Sequence, residues 1–429
     1  MFPAVLQGTM TPSSRRAFAL GTVSTVTALA GCMGLSNPLG GGSRSAGRDG
    51  SATGEDTGSS EPASSPGSSS SASGSTSSSK PPLADRQHYI PFRPAFLREE
   101  VLSGGPGKDG IPAIDEPTFA PAREAPAALG PGSVVFGVVH DGAVKAYPQY
   151  VLVWHEITND TLGDVPVSVT YCPLTGTVMG FERGETTFGV SGDLVNSNLV
   201  MYDRASDSRW PQMLATAIAG PLLEASLREF PLTWTTWKRW RDAHPDTLVL
   251  TEQTGYVRDY GGDPYGSYTP PGGYYADEST LFAPLRENDR YHPKRVVVGA
   301  RTAEGALAFS KPALREQGLL EGTTRAATEL ATSTAIGTPT STATGAATGS
   351  DDSDTDGGTP LLAAYDPALD AATVYRNPEA VAFEYREGTL VGPNDETYAP
   401  DALPLEAVMA YDAMWFAWAG FYPNTAVVE

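Results

Sequence analysis

A recurring tryptophan pattern sets the strongest constraint on what this chain can fold into. Trp237-x-x-Trp240-x4-Pro245-x-Thr247-x-Val249 returns as Trp415-x-x-Trp418-x4-Pro423-x-Thr425-x-Val427. Upstream, Leu223-Glu224-Ala225 is echoed by Leu405-Glu406-Ala407. Gly137 precedes Ala146-Tyr147 by the spacing with which Gly299 precedes Ala308-Phe309, and Phe181-Glu182 has a counterpart in Phe383-Glu384. Features held in one order imply an internal duplication, about 130–251 and 294–429. The expected fold class is α+β and β-rich, with two tandem copies of a degenerate repeat of short strands plus a Trp-bearing helix.

Within the first copy, β-branched or aromatic runs at Val134–Val139, Val165–Tyr171, Thr186–Val190 and Leu199–Tyr202 predict strands, because Gly, Pro, Asn and Asp bound each of them. Thr233 is placed to N-cap a helix carrying Trp234, Trp237 and Trp240 on one apolar face, ended by His244-Pro245. A short helix is expected over Gln212–Ile218.

The flanking composition divides the rest of the chain. Ser14-Arg15-Arg16-Ala17-Phe18-Ala19-Leu20 resembles a twin-arginine export signal, and the apolar stretch behind it ends in Leu29-Ala30-Gly31-Cys32. That order predicts a signal peptide over 1–32 and a lipid on Cys32, so the expected partner is the membrane and the expected location is the outer face of the cell membrane. Residues 33–85 are Ser, Gly, Pro and Thr with few apolar side chains, which predicts a flexible tether of about 40 Å r.m.s.. The first repeat then runs 86–251 with its candidate site, a Tyr/Gly-rich connector 252–293, and the second repeat 294–429. A Thr/Ala/Gly/Ser insertion over 322–360 interrupts the second repeat. Its Asp351-Asp352-Ser353-Asp354 cluster lacks the closing Glu of a calcium loop.

Charge excludes one class of partner. Fifty acidic residues stand against 29 basic ones, a net charge of −21. No basic stripe appears, so nucleic acid is not an expected partner. The acidity with few lysines matches proteins of extreme halophiles, where a Debye length of about 3 Å in molar salt screens self-repulsion.

One copy carries a polar constellation that the other lacks. It comprises Trp154-His155-Glu156, Asn159-Asp160, Tyr171-Cys172-Pro173-Leu174-Thr175-Gly176-Thr177, Ser191-Gly192, Asn196-Ser197-Asn198, Met201-Tyr202-Asp203 and Ser208-x-Trp210-x-Gln212. Residues needed only for a shared fold should recur in both copies, so the asymmetry marks a candidate site. These runs resemble the family called domain of unknown function 3179, over about 90–428. Family members often carry a second Cys two residues after the Pro. Thr175 stands there in this chain, so the resemblance implies no Cys-x-x-Cys chemistry.

With Cys32 taken by lipid, Cys172 is a lone thiol, and three readings stand open. As a ligand it would join His155, with Met201 or Asp203, in a copper or zinc site. As a nucleophile it would use His155 as base and Glu156 or Asp160 as orienter, with Ser191-Gly192 and Asn196 as oxyanion donors. As a buried Cys it would be inert, and the surrounding polar residues would form a ligand- or surface-binding module. Under that last reading Ser191, Gly192, Asn196, Asn198, Asp203, Ser208, Trp210 and Gln212 are ligand-binding candidates. The connector tyrosines Tyr256, Tyr260, Tyr265, Tyr268, Tyr274 and Tyr275 would either stack on a planar ligand or pack as ordered coil over both repeats.

Overall fold

Runs of Val, Ile, Thr and aromatic residues pair into antiparallel ladders, and these give the computed structural model a β-rich α+β architecture with few short helices. The structure describes residues 80–324 and 358–429, all within one compact unit. The expected signal, Cys32, most of the tether and nearly all of the insertion lie outside the described residues.

Three sheets build the first half. Strands β1 (Val134–His140), β2 (Ala143–Pro148), β10 (Thr233–Thr236) and β11 (Leu248–Leu250) form one sheet in the order β10-β1-β2-β11, with Phe119–Pro121 on its edge. A second sheet runs β9-β5-β4-β3 from β3 (Ile157–Leu162), β4 (Val165–Cys172), β5 (Thr177–Glu182) and β9 (Glu229–Phe230). The third joins β6 (Phe188–Val195), β7 (Asn198–Asp203) and β8 (Arg209–Pro211) behind the edge pair Leu102–Ser103. Helix α1 (Gln149–Leu152) follows β2, and α2 (Trp237–Ala243) links β10 to β11.

The second half has β12 (Val296–Thr302), β13 (Gly305–Ser310), β18 (Ala410–Met414) and β19 (Ala426–Val428) in the order β18-β12-β13-β19. This is the strand order of β10-β1-β2-β11, with the last pair parallel in both. Its other sheet is β14-β15-β16-β17, from β14 (Leu319–Thr323), β15 (Pro360–Asp366), β16 (Ala371–Arg376) and β17 (Ala407–Val408). Helix α3 (Lys311–Gln317) follows β13, and α4 (Trp415–Phe421) links β18 to β19.

The tryptophan pattern has a packing cause. A Cβ added to Gly137 would lie 2.2 Å from the Trp240 ring, and one added to Gly299 would lie 2.2 Å from the Trp418 ring. Each indole sits flat on a strand that only glycine leaves open. Each indole N–H also donates to a threonine, Trp240 to Thr247 and Trp418 to Thr425.

Several expectations change. Thr233 does not cap a helix: Thr233–Thr236 is strand β10, paired with β1, and α2 starts at Trp237. Alternation therefore sends Trp234 toward Phe136 and Tyr171, away from the Trp237/Trp240 cluster. The helix expected over Gln212–Ile218 is one 3₁₀ turn, Gln212–Leu214, stopped by the left-handed Ala215. Thr186 lies outside β6. Two of the sequence echoes do not align in space. Phe181-Glu182 is in β5 of a main sheet, whereas Glu384 begins a separate small sheet, Glu384–Arg386 with Thr389–Val391. Ala407 pairs with β16 as Glu229 pairs with β5, so Leu405-Glu406-Ala407 corresponds to Leu227-Arg228-Glu229 and not to Leu223-Glu224-Ala225.

Candidate functional site

The strand ends around Cys172 assemble as the sequence suggested, but they assemble as closed structure. The β4–β5 turn is Pro173-Leu174-Thr175-Gly176, with Gly176 at φ 59°. The β6–β7 turn is Asn196-Ser197, with φ 55° and 59°. Positive φ at both central positions of a two-residue hairpin explains an Asn here. Cys172 is 1% exposed, its thiol lies 3.7 Å from the Ser197 carbonyl, and burial, then the nearby Glu156, pushes its pKa up to about 11. A thiol so placed stays protonated and unreactive at neutral pH.

His155 does not serve it. One ring nitrogen bonds the Pro112 carbonyl at 2.8 Å, and the other meets the Tyr260 hydroxyl at 2.7 Å. The carbonyl can only accept, so the first nitrogen carries the proton and the second accepts from Tyr260. Burial holds the imidazole down to about 4, so it is neutral and fully used. Asp160 is bound by Lys145 and Tyr147, not by His155. Glu156, at φ 57°, is a buried carboxyl that desolvation raises to about 8. The Cys–His dyad and the His155–Cys172 metal pair are therefore not formed. Among the described residues, no group of three or more His, Cys, Asp or Glu could hold a metal ion.

The ligand-binding candidates are also internally bonded. Ser191 donates to the Val200 carbonyl and accepts from the Asp193 N–H, so Ser191-Gly192 shapes a bulge in β6 rather than an oxyanion hole. Asn198 and Gln212 bond each other, and Gln212 also receives from Thr177 and donates to Thr170. Asp203 accepts from Trp210 and Ser206, and Ser208 accepts from the Leu222 N–H. Asn196 donates to the Ala417 carbonyl and accepts from the Leu285 N–H.

Two members of the constellation also reach the second half. Asn196 bonds α4, and the Thr175 carbonyl receives the Met414 N–H. Beside them Tyr411 donates to the Met213 carbonyl, and Arg301 meets Glu229.

An open site lies beside it. A cleft of about 440 Å³ is lined by the β4–β5 turn through Gly176, by Trp234, Thr235 and Thr236 of β10, by Tyr268 and Tyr275 of the connector, and by Lys294, Arg295, Lys311 and Arg315 with Asp370, Asp412 and Met414 from the second half. Tyr268 and Tyr275 stack at 3.8 Å, and Trp234 meets Tyr268 edge-on at 5.1 Å. Behind them the Tyr171 hydroxyl bonds Tyr268 and Gln149, while Gln149 and Tyr275 share Asp263. The other connector tyrosines pack differently: Tyr260 holds His155, and Tyr274 donates to the Leu174 carbonyl.

The cleft cations were not found from sequence. A usable signal existed, since Lys294 and Lys311 are two of only six lysines in the chain. Lys311 pairs with Asp412, and Arg315 grips Asp370 with two nitrogens at 2.7 Å. Lys294 donates to the Ser279 carbonyl at 2.7 Å and sits 3.8 Å over the Tyr274 ring. Desolvation lowers it to about 8.

No curated protein and no solved structure matches this chain. A family model does, over residues 108–425, which spans both halves and the cleft between them. By that match the chain belongs to the family described as Protein of unknown function (DUF3179).

Proposed function

We propose that this chain is a ligand-binding module that captures a small molecule in the cleft between its halves. The observation that carries this reading is the contrast in hydrogen bonding. The Cys172 surroundings are closed, with His155, Asn198 and Gln212 bonded within the fold, whereas the cleft is open, of ligand-pocket size, and walled by aromatic faces and charged groups. A preformed concave site with convergent polar groups on rigid strands suits binding. Neither the thiol-enzyme reading nor copper or zinc binding has a comparable observation behind it.

In this reading the twin-arginine signal and the lipid on Cys32 place the module outside the cell, on a tether over 33–85. The surface acidity suits a habitat of high salt. We also infer that 86–251 and 294–429 descend from one duplicated unit. Matching strand orders and two Gly–Trp contacts support it. The functional cleft would then be a product of the duplication, since both copies contribute walls.

The test is fluorescence titration of the full-length chain with a panel of small ligands in molar salt, using Trp234 as the reporter. Saturable quenching that Trp234→Phe abolishes supports the reading. Quenching that Trp234→Phe leaves intact, or a panel without any response, rejects it.

A further inference from the structure

Glu156 sits where the other half has a glycine. The Glu156 carbonyl receives the Tyr171 N–H at 2.7 Å, as the Gly318 carbonyl receives the Tyr365 N–H at 2.9 Å. Each also bonds back to the helix before it, the Glu156 N–H to Leu152 and the Gly318 N–H to Leu314. Both backbones are left-handed, at φ 57° and 76°. Glycine is the ordinary residue at such a helix end, because a Cβ there is strained. The first half places a glutamate at this position and buries it, 8% exposed. Burial alone raises its carboxyl to about 8, with no hydrogen bond and no cation among the described residues to hold its charge. A strained backbone and an unpaired buried carboxyl both destabilise, and groups of that kind gather at switches and sites.

What covers the carboxyl also builds the cleft. Residues 260–265 of the connector lie across 154–156. The Trp154 indole donates to the Gly262 carbonyl, the Tyr260 hydroxyl donates to His155, and Tyr265 lies close enough to Glu156 and Cys172 to feel their charge. Asp263 seats this segment: its carboxylate receives the Tyr265 N–H at 2.7 Å and the Tyr275 hydroxyl at 3.0 Å. The Tyr265 carbonyl receives the Tyr274 N–H, and the Tyr265 ring lies 6.4 Å from that of Tyr275. Tyr275 stacks on Tyr268, and both line the cleft. A carboxylate formed beneath this cover must reach water to be stable, and the connector stands between them.

We propose that Glu156 is a proton switch for the cleft: while its carboxyl is protonated the connector stays seated and the Tyr268–Tyr275 wall is formed, and once it ionises the connector lifts and the wall loosens. The purpose of the switch rests on the reading of this cleft as the binding site. Its test needs no ligand, so either can fail without the other.

The titratable groups packed near the carboxyl change charge elsewhere on the pH scale. Cys172 on β4 is raised to about 11, Tyr265 and Tyr274 of the connector are raised, and His155 is lowered to about 4. Lys294, lowered to about 8, lies on the far side of the Tyr274 ring and needs its own control.

The experiment follows the near-ultraviolet circular dichroism of the full-length chain from pH 6 to pH 9, where the packed rings of Trp234, Tyr268 and Tyr275 report on the wall. A group raised in the folded state holds its proton below its folded pKa. The signal should therefore be steady at low pH and fall along a one-proton curve with its midpoint near 8. Glu156→Gln should make the profile flat, and Lys294→Gln should keep the curve. Glu156→Gly, which copies the other half, should also be flat and should melt no lower than the wild type at pH 6, because glycine relieves the left-handed backbone. If Glu156→Gln does not fold, Glu156→Gly supplies the same comparison. A flat wild-type profile, a curve that survives Glu156→Gln or Glu156→Gly, or one that Lys294→Gln removes overturns the switch. A Glu156→Gly variant that melts well below the wild type also overturns it, by showing that the glutamate is there to hold the fold.

Discussion

The β4–β5 turn has two sides, and they differ in nearly every respect that matters for chemistry. On one side Cys172 and Glu156 lie buried, and His155 has both ring nitrogens bonded. On the other, Gly176 opens onto a cleft walled by Trp234, Tyr268, Lys294 and Arg295. The first side holds the residues that look catalytic when listed by type. The second holds an open recess that both halves line. A functional group already bonded by its own chain has little left for a ligand, so residue type alone misdirects, and satisfaction of hydrogen bonds discriminates.

The sharpest way to break this comparison is Gln212→Ala. Removing that amide deletes its bonds to Thr170, Thr177 and Asn198 inside the core, although each of the three keeps a second partner. We expect a loss of about 3 kcal/mol, since several buried hydrogen bonds of about 0.5–1.5 kcal/mol each are lost together. Urea unfolding measures it. Ligand affinity of the remaining folded protein should be unchanged. A tolerated Gln212→Ala with lost binding would return the polar constellation to the role of a site.

Glu156 comes next. Its pKa rises from 4.5 unfolded to about 8 folded, so the folded state binds the extra proton. The stability this gives is complete below pH 4.5 and is lost as pH climbs through 8. From pH 5 to pH 7 the wild type should lose roughly 2–3 kcal/mol from this group. In Glu156→Gln that slope should vanish. The readout is the difference in slope, which any constant cost of the buried amide leaves untouched. Equal slopes would mean that water or a partner reaches this carboxyl and that the Cys172 side is not closed.

How much of this was legible in the sequence follows from the same distinction. The four strand runs and the Trp-x-x-Trp pattern were readable, because periodicity and an obligatory glycine leave local marks. Trp234 was misassigned because a three-residue spacing on paper cannot show that a strand ends at Thr236. The cleft was not legible. Its walls come from β10, the connector and α3, which are far apart in sequence, so only the folded chain brings them together. The one-copy constellation was visible, but its bonding was not: Asn196 and Thr175 each reach across to the other half, a contact that sequence spacing does not show.

Thr235→Val is a smaller test. The hydroxyl is buried without a partner on the β10 face opposite Trp234, so replacing it by a methyl of similar shape should leave stability unchanged or raise it slightly, and ligand affinity should not change. Chemical unfolding and ligand titration of one preparation give both numbers. A loss of stability would show that the hydroxyl has a partner in the free fold, and a loss of affinity would show that this face of β10 meets the ligand.

Cys172 carries a modest effect on stability and none on binding. Its thiol packs against Leu199 and Ser197 rather than meeting a base, and its pKa near 11 leaves about one part in ten thousand as thiolate at neutral pH. Cys172→Ala should therefore cost about 1–2 kcal/mol of packing and leave ligand affinity unchanged, because the volume removed is small. A thiol reagent at pH 7 should modify the native chain no faster than it unfolds, and the rate should rise with urea in step with unfolding. Rapid labelling of the native protein would require an open path and a depressed pKa, and would make the buried side of the turn a reactive one. The comparison rests on this measurement as firmly as on the large effects, because exposure of one sulfur is enough to reverse which side of the turn carries the chemistry.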